Sequence, residues 1–155
     1  MSKLTGKPET LTQFVGHEFE PSRWIEIDQA RIDAFADCTE DHQFIHVDPE
    51  AAAKMPMGGT IAHGFLVLSL LAPLCTESTV VPEGATMGLN YGFGRVRFLM
   101  PVRSGKRVRA RVKVADINNQ EPGRLLVNHA VTVEIEGETK PALVAEWLIA
   151  WMTGG

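Results

Sequence analysis

Proton chemistry in this chain concentrates between Phe35 and Pro49, where Asp41 and His46 stand with four residues between them. A carboxylate and an imidazole whose surroundings separate their pKa values can divide the roles of base and acid near neutral pH. Taken alone, Asp41 is also an ordinary turn former, and an aspartate and a histidine at this spacing arise readily by chance. A third group stands at Gly64, which heads an apolar run. An amide in the first turn of a helix has no partner inside the helix and points its dipole outward, and a glycine there lets a carbonyl approach the backbone. One such donor aimed at a developing oxyanion is worth about 3 to 4 kcal/mol of barrier height.

Other polar residues read as structural. His42 and His46 have the spacing of a zinc-protease pair, but Gln43 stands where that chemistry needs a glutamate base. Asp48-Pro49 also starts a helix just afterwards, which puts the pair on a loop, so no metal is expected. His63, just before the apolar run, is expected to bond to backbone rather than to take part in chemistry directly. His129 shares a strand face with Val127 and Val131 and reads as a core or interface histidine. Ser69 is expected to bond to a carbonyl in the preceding turn, without the histidine and aspartate of a hydrolase triad beside it.

The elements that must position these groups change character along the chain. Up to about residue 76 the signals are helical, apart from a short strand candidate at Trp24–Ile27. Asp28 can cap a helix in which Ile32, Phe35 and Ala36 recur at helical spacing, ending near Cys38. Asp48, Pro49 and Glu50 start another, so residues 39–47 read as a connection. Gly64 to Cys75 is apolar on every side except at Ser69, and a helix without a polar face must be surrounded by protein. From about residue 86 onward the period is two. Val108, Ala110, Val112 and Val114 alternate with Arg107, Arg109, Arg111 and Lys113, and residues 125–135 and 142–151 repeat the pattern. The segment Asn118 to Gly123 reads as a turn, and Met87 to Leu99 as a strand bent at Gly92 and Gly94. An antiparallel meander needs a cover for its apolar face, and the chain offers one apolar helix. The expected assembly is therefore α+β: a curved antiparallel sheet wrapped round a buried central helix, the hotdog fold.

At 155 residues, 45% apolar and 22% charged, the chain reads as a single globular domain spanning residues 1–155, with no internal repeat. The net charge of −4 argues against a nucleic-acid coat protein. Two cysteines, Cys38 and Cys75, are too few for a disulfide framework and suit a reducing compartment. With no secretory signal in residues 1–16, a cytoplasmic location is expected. The longest apolar run is twelve residues, where a membrane-spanning helix needs about twenty. Eight of the fifteen Lys and Arg residues fall between Arg95 and Lys113. The four on alternate positions from Arg107 read as a solvated strand face.

The Asp41–His46 stretch resembles the motif of the MaoC-like hydratases, a hotdog family of (R)-specific enoyl-CoA hydratases, which carry Gly-Asp-x-Asn-Pro-(Ile/Leu/Val)-His in this connection. Glu40 replaces the glycine, Gln43 the asparagine and Phe44 the proline. The resulting form is similar to the NodN-like branch. Ile61-Ala62-His63-Gly64-Phe65 resembles the family's Ala-His-Gly element, and Asn90-Tyr91-Gly92, Arg95 to Phe98, Pro101-Val102 and Gly105 resemble the strand and turn that follow. The resemblance runs in family order over nearly the whole chain. It implies hydration of trans-2-enoyl-CoA to (R)-3-hydroxyacyl-CoA, or the reverse dehydration, without metal or redox cofactor. Asp41 and His46 would be the catalytic pair and the Gly64 amide the oxyanion donor. Which of the pair takes the water proton stays open. Asn90, Arg95 and Arg97 would contact substrate, since the phosphates of coenzyme A need a basic mouth to the acyl tunnel, and Arg103 is a further candidate. A homodimer joining two sheets edge to edge is also implied; from the charge and the apolar run length, no nucleic-acid or membrane partner is expected. The alternatives are a hotdog acyl-CoA thioesterase and a non-catalytic acyl-CoA-binding domain.

Overall fold

The computed structural model describes residues 3–154, except for the side chain of residue 120. In chain order the elements are β1 (Leu4–Gly6), a 3-10 helix (Pro8–Phe14), β2 (Ile25–Ile27), α1 (Gln29–Thr39), α2 (Phe44–Val47), α3 (Pro49–Ala53), α4 (Gly64–Ser69) and α5 (Leu71–Cys75). These are followed by β3 (Val80–Pro82), β4 (Ala85–Phe98), β5 (Lys106–Glu121), β6 (Arg124–Ile135) and β7 (Leu143–Thr153). Five strands form one antiparallel sheet in the order β2-β5-β6-β7-β4, and β1 pairs with β3 in a separate parallel pair. The large sheet curls around α4 and α5, which is the hotdog arrangement expected.

Alternation sets the inner face. Val108, Ala110 and Val112 on β5 lie opposite Ile135, Val133 and Val131 on β6, and all six are buried. Leu66, Val67, Leu70, Leu71 and Leu74 of the helices pack into the same core. Burying a side chain of this size contributes about 1.5–3 kcal/mol. On the outer face Arg109 of β5 lies 2.6 Å from Glu134 of β6, and Arg107 pairs with Glu136 just past the end of β6; Lys106, in phase with the inward Val108, lies 3.2 Å from Glu138 in the connection to β7. Those charges are used in cross-strand pairs, as a solvated face would be.

Four expectations need correction. The apolar run is two short helices, jointed at Leu70. Pro73 explains the joint, because it has no N–H to bond the Ser69 carbonyl and its ring crowds that oxygen. Nor is the run covered all round: Phe65, Ser69, Ala72 and Pro73 remain exposed. The connection at 39–47 contains the one-turn helix α2, too short to show a period. Finally, β5 runs on to Glu121, so the turn into β6 is Pro122-Gly123 alone, with Gly123 at φ +76°. The bend in β4 falls where expected, with pairing shifts against β7 between Asn90 and Gly92 and between Phe93 and Arg95. At the second shift, a Cβ on Gly94 would lie 2.7 Å from a Glu146 carboxylate oxygen. Among the described residues, no helix is long and apolar enough to cross a membrane.

Candidate active site

Asp28 caps α1, its carboxylate accepting the Arg31 amide at 2.8 Å. At the other end Glu40 takes the left-handed conformation, φ 62° and ψ 17°, which stops the helix and turns the chain into Asp41. The Asp41 carboxylate is exposed and accepts a long bond, 3.4 Å, from the Gln43 amide. One turn later α2 carries His46 into the interior.

His46 is held on several sides. Its Nδ1 lies 2.7 Å from the Ile61 carbonyl. A carbonyl only accepts, so Nδ1 bears the hydrogen and Nε2 of the neutral ring keeps a free lone pair. The Ile61 amide returns a bond to Ile45, and Gln29 of α1 donates to the His46 carbonyl at 2.7 Å while accepting from Thr60. Sequence reasoning passed over Gln29, and no local signal marks a contact seventeen residues away.

The ring of His63 stacks on that of His46, with centroids 3.8 Å apart and planes 23° from parallel. The Asp41 carboxylate, one nitrogen of His46 and one of His63 all lie within 4.8 Å of one another. This is the set whose atom types could hold a metal, but its geometry suits an ion poorly. Imidazoles bind a metal through in-plane lone pairs at roughly 2 Å. Stacked rings with centroids 3.8 Å apart and planes 23° from parallel direct their in-plane lone pairs side by side rather than onto one point at that distance. His42 does not join the cluster. It turns to Asp37 at 2.9 Å, and that carboxylate raises the pKa of His42 above the usual imidazole value.

Gly64 opens α4 immediately after His63. His46 and Gly64 line one cavity of about 270 Å³, with Val67, Phe98, Met100 and Val102 among its apolar walls. Phe98 lies close over Gly64, where a Cβ would be 3.1 Å from its ring. Asp41, His46 and Gly64 are thus brought to one place, with Asp41 beside the cavity rather than among its lining residues. Asn90, Arg95 and Arg97 are not brought there within one chain. Asn90 lines a groove with Phe65, Ser69 and Phe93, and Arg95 lies in another with Thr132 and Glu146. Arg97 is exposed and donates to the Val96 carbonyl. Ser69 bonds the Phe65 carbonyl at 2.7 Å, as expected of a structural serine.

The chain is similar to several known proteins. The chain is 52% identical to nodulation protein N of Rhizobium meliloti over 139 residues, covering 89% of this chain and 86% of that protein. It is 42% identical to 3-hydroxyacyl-thioester dehydratase Z of Mycobacterium tuberculosis over 142 residues, 92% of this chain and 93% of the other. The solved structure of an (R)-hydratase from A. caviae involved in PHA biosynthesis superimposes with a TM-score of 0.71 at 24% identity, covering 87% of this chain and 94% of that one. The profile of the MaoC like domain matches residues 11–138, and the chain belongs to that family of dehydratases and hydratases.

Proposed function

We propose that this protein adds water to trans-2-enoyl-CoA to give (R)-3-hydroxyacyl-CoA, or removes it in the reverse direction, with Asp41 and His46 as the catalytic pair. The observation that carries this reading is the approach of the Asp41 carboxylate to within 4.8 Å of a His46 nitrogen, beside an apolar cavity that His46 shares with Gly64. A water between the carboxylate and Nε2 meets two acceptors, which orient its oxygen toward the β carbon. One of the pair takes the water proton as the oxygen adds, and the α carbon receives a proton from the pair. Negative charge on the thioester oxygen between those events is met by the Gly64 amide. The proton account closes without a metal or redox cofactor. The acyl chain lies in the cavity, and Arg95, Arg97 and Asn90 are the groups proposed to meet the rest of the thioester, in an assembly of two chains.

The direct test is hydration of crotonyl-CoA and of longer and branched enoyl thioesters, followed by loss of enoyl absorbance and chiral analysis of the product. The (R)-3-hydroxy product is expected. Asp41→Asn and His46→Gln should each lower turnover by about 100-fold or more while remaining folded. Release of free thiol would replace this reading with a thioesterase. Binding of enoyl thioesters without turnover of any would replace it with a non-catalytic acyl-CoA-binding domain.

A further inference from the structure

We infer that His63 is a positioning residue, which sets the Asp41 carboxylate against His46 by holding the backbone of one and the ring face of the other. The inference deepens the hydratase reading and rests on it for its kinetic readout. Asp41 lies in the irregular stretch between α1 and α2, where, among the described residues, its side chain accepts the 3.4 Å bond from Gln43 and no other hydrogen bond. The backbone there is tied across the site by His63, whose Nε2 lies 2.9 Å from the Asp41 carbonyl. That ring is 3% exposed and wedged between Phe35 of α1, 5.0 Å away between centroids, and His46 of α2, 3.8 Å away. A side chain at the head of α4 therefore joins both helices that flank Asp41, and the peptide that follows it carries the Gly64 amide.

The two stacked rings carry their hydrogens on opposite nitrogens. Each donates to a carbonyl, His46 from Nδ1 and His63 from Nε2, so Nδ1 of His63 is left as an acceptor. That nitrogen is buried, with no hydrogen-bond partner among the described residues. A buried polar atom in this state bears a desolvation cost that no hydrogen bond offsets. Phenylalanine would fill the same slot between Phe35 and His46 and leave no such atom. What phenylalanine lacks is the N–H that reaches Asp41, so the hydrogen bond, not the stacking, is what a histidine supplies here.

Two variants separate these contributions. His63→Phe keeps the ring stack and removes the donor, whereas His63→Gln places a side-chain N–H near the position of Nε2 and removes the stack. A displacement of a catalytic group by about 1 Å can cost roughly 100-fold. For crotonyl-CoA hydration, His63→Phe is expected to lower kcat by about tenfold or more with KM changed less than about threefold. His63→Gln should recover most of that loss. In an Asp41→Asn background, His63→Phe should cost almost nothing further, because the group it positions is gone. A substrate-free readout accompanies the kinetics: amide hydrogen exchange at residues 41–43 should quicken in His63→Phe and return toward wild type in His63→Gln, at an unchanged unfolding midpoint. Wild-type kcat in His63→Phe, full additivity with Asp41→Asn, or unaltered exchange would each overturn the inference. Absence of hydration by the wild-type protein would defeat the functional reading instead, and the exchange measurement would still decide the role of His63.

Discussion

His129 is buried outside the cavity that His46 lines. It is 1% exposed, its Nε2 lies 3.0 Å from the Thr79 hydroxyl, and desolvation of the charged form lowers its pKa to about 4. In the unfolded chain an imidazole titrates near 6.5. Between these values the unfolded chain binds more protons, so the stability that neutral His129 confers is complete above about pH 6.5 and is lost as pH falls toward 4. The difference corresponds to roughly 3 kcal/mol. Urea unfolding between pH 7.5 and about 4.5 should show a steeper loss in wild type than in His129→Gln; parallel curves would refute the linkage. The alternation around Val127 and Val131 reads His129 as a core or interface histidine, and the structure buries it. It could not reveal Thr79, fifty positions away in the chain. The same limit applies at the cavity, where the spacing of Asp41 and His46 and the glycine at 64 were readable but Gln29 and the carbonyl partner of His63 were not. Each of those contacts is made across elements, and no period or spacing within one segment encodes it.

At the scale of elements, β5, β6 and β7 were legible because a period of two over ten or more residues admits one reading, and the cap at Asp28 because its chemistry is local; the three-residue β1 and β3 are too short to show a period and were not. The segments near the site were less so. α2 is four residues long, and the joint between α4 and α5 turns on Pro73 within a run whose apolar character says only that it is buried. Glu40 is the instructive case. It stands where the resembling motif has glycine, and it adopts the conformation that glycine tolerates, φ 62°. A non-glycine residue held there costs of order 1–3 kcal/mol, partly offset by the greater freedom that glycine has in the unfolded chain. Alanine bears the same left-handed penalty without the carboxylate, so the comparison of Glu40→Gly with Glu40→Ala isolates the backbone. Denaturant unfolding should place Glu40→Gly about 1 kcal/mol above Glu40→Ala. Equal stabilities would mean that the turn into Asp41 carries no strain.

The whole molecule leaves one side unfinished. β4 is the last strand in the sheet order, so one edge of its fourteen residues has no partner strand among the described residues. Along it Met87, Leu89, Tyr91 and Phe93 are exposed, and Phe65, at the start of α4, is 68% exposed. The groove between helix and strand, lined by Phe65, Ala72 and Phe93, continues the same surface. A long apolar edge of this kind invites further strand pairing, and a second copy of the chain would meet it with a self-complementary surface about a two-fold axis. Pairing of β4 with its counterpart would join the two sheets edge to edge and cover the open stripe of α4 and α5. It would also bring a second set of Asn90, Arg95 and Arg97 near the first, which bears on how groups absent from the cavity in one chain could serve it in two. The expected species is a dimer of twice the 17.0 kDa chain mass. Leu89→Arg combined with Phe93→Arg places like charges on both sides of the contact and should give a folded monomer. Sedimentation velocity over a range of concentrations, with circular dichroism as the control for folding, distinguishes the outcomes: a wild-type protein that stays monomeric up to about 100 μM would rule out the pairing, because an obligate interface of this apolar character holds well below that concentration.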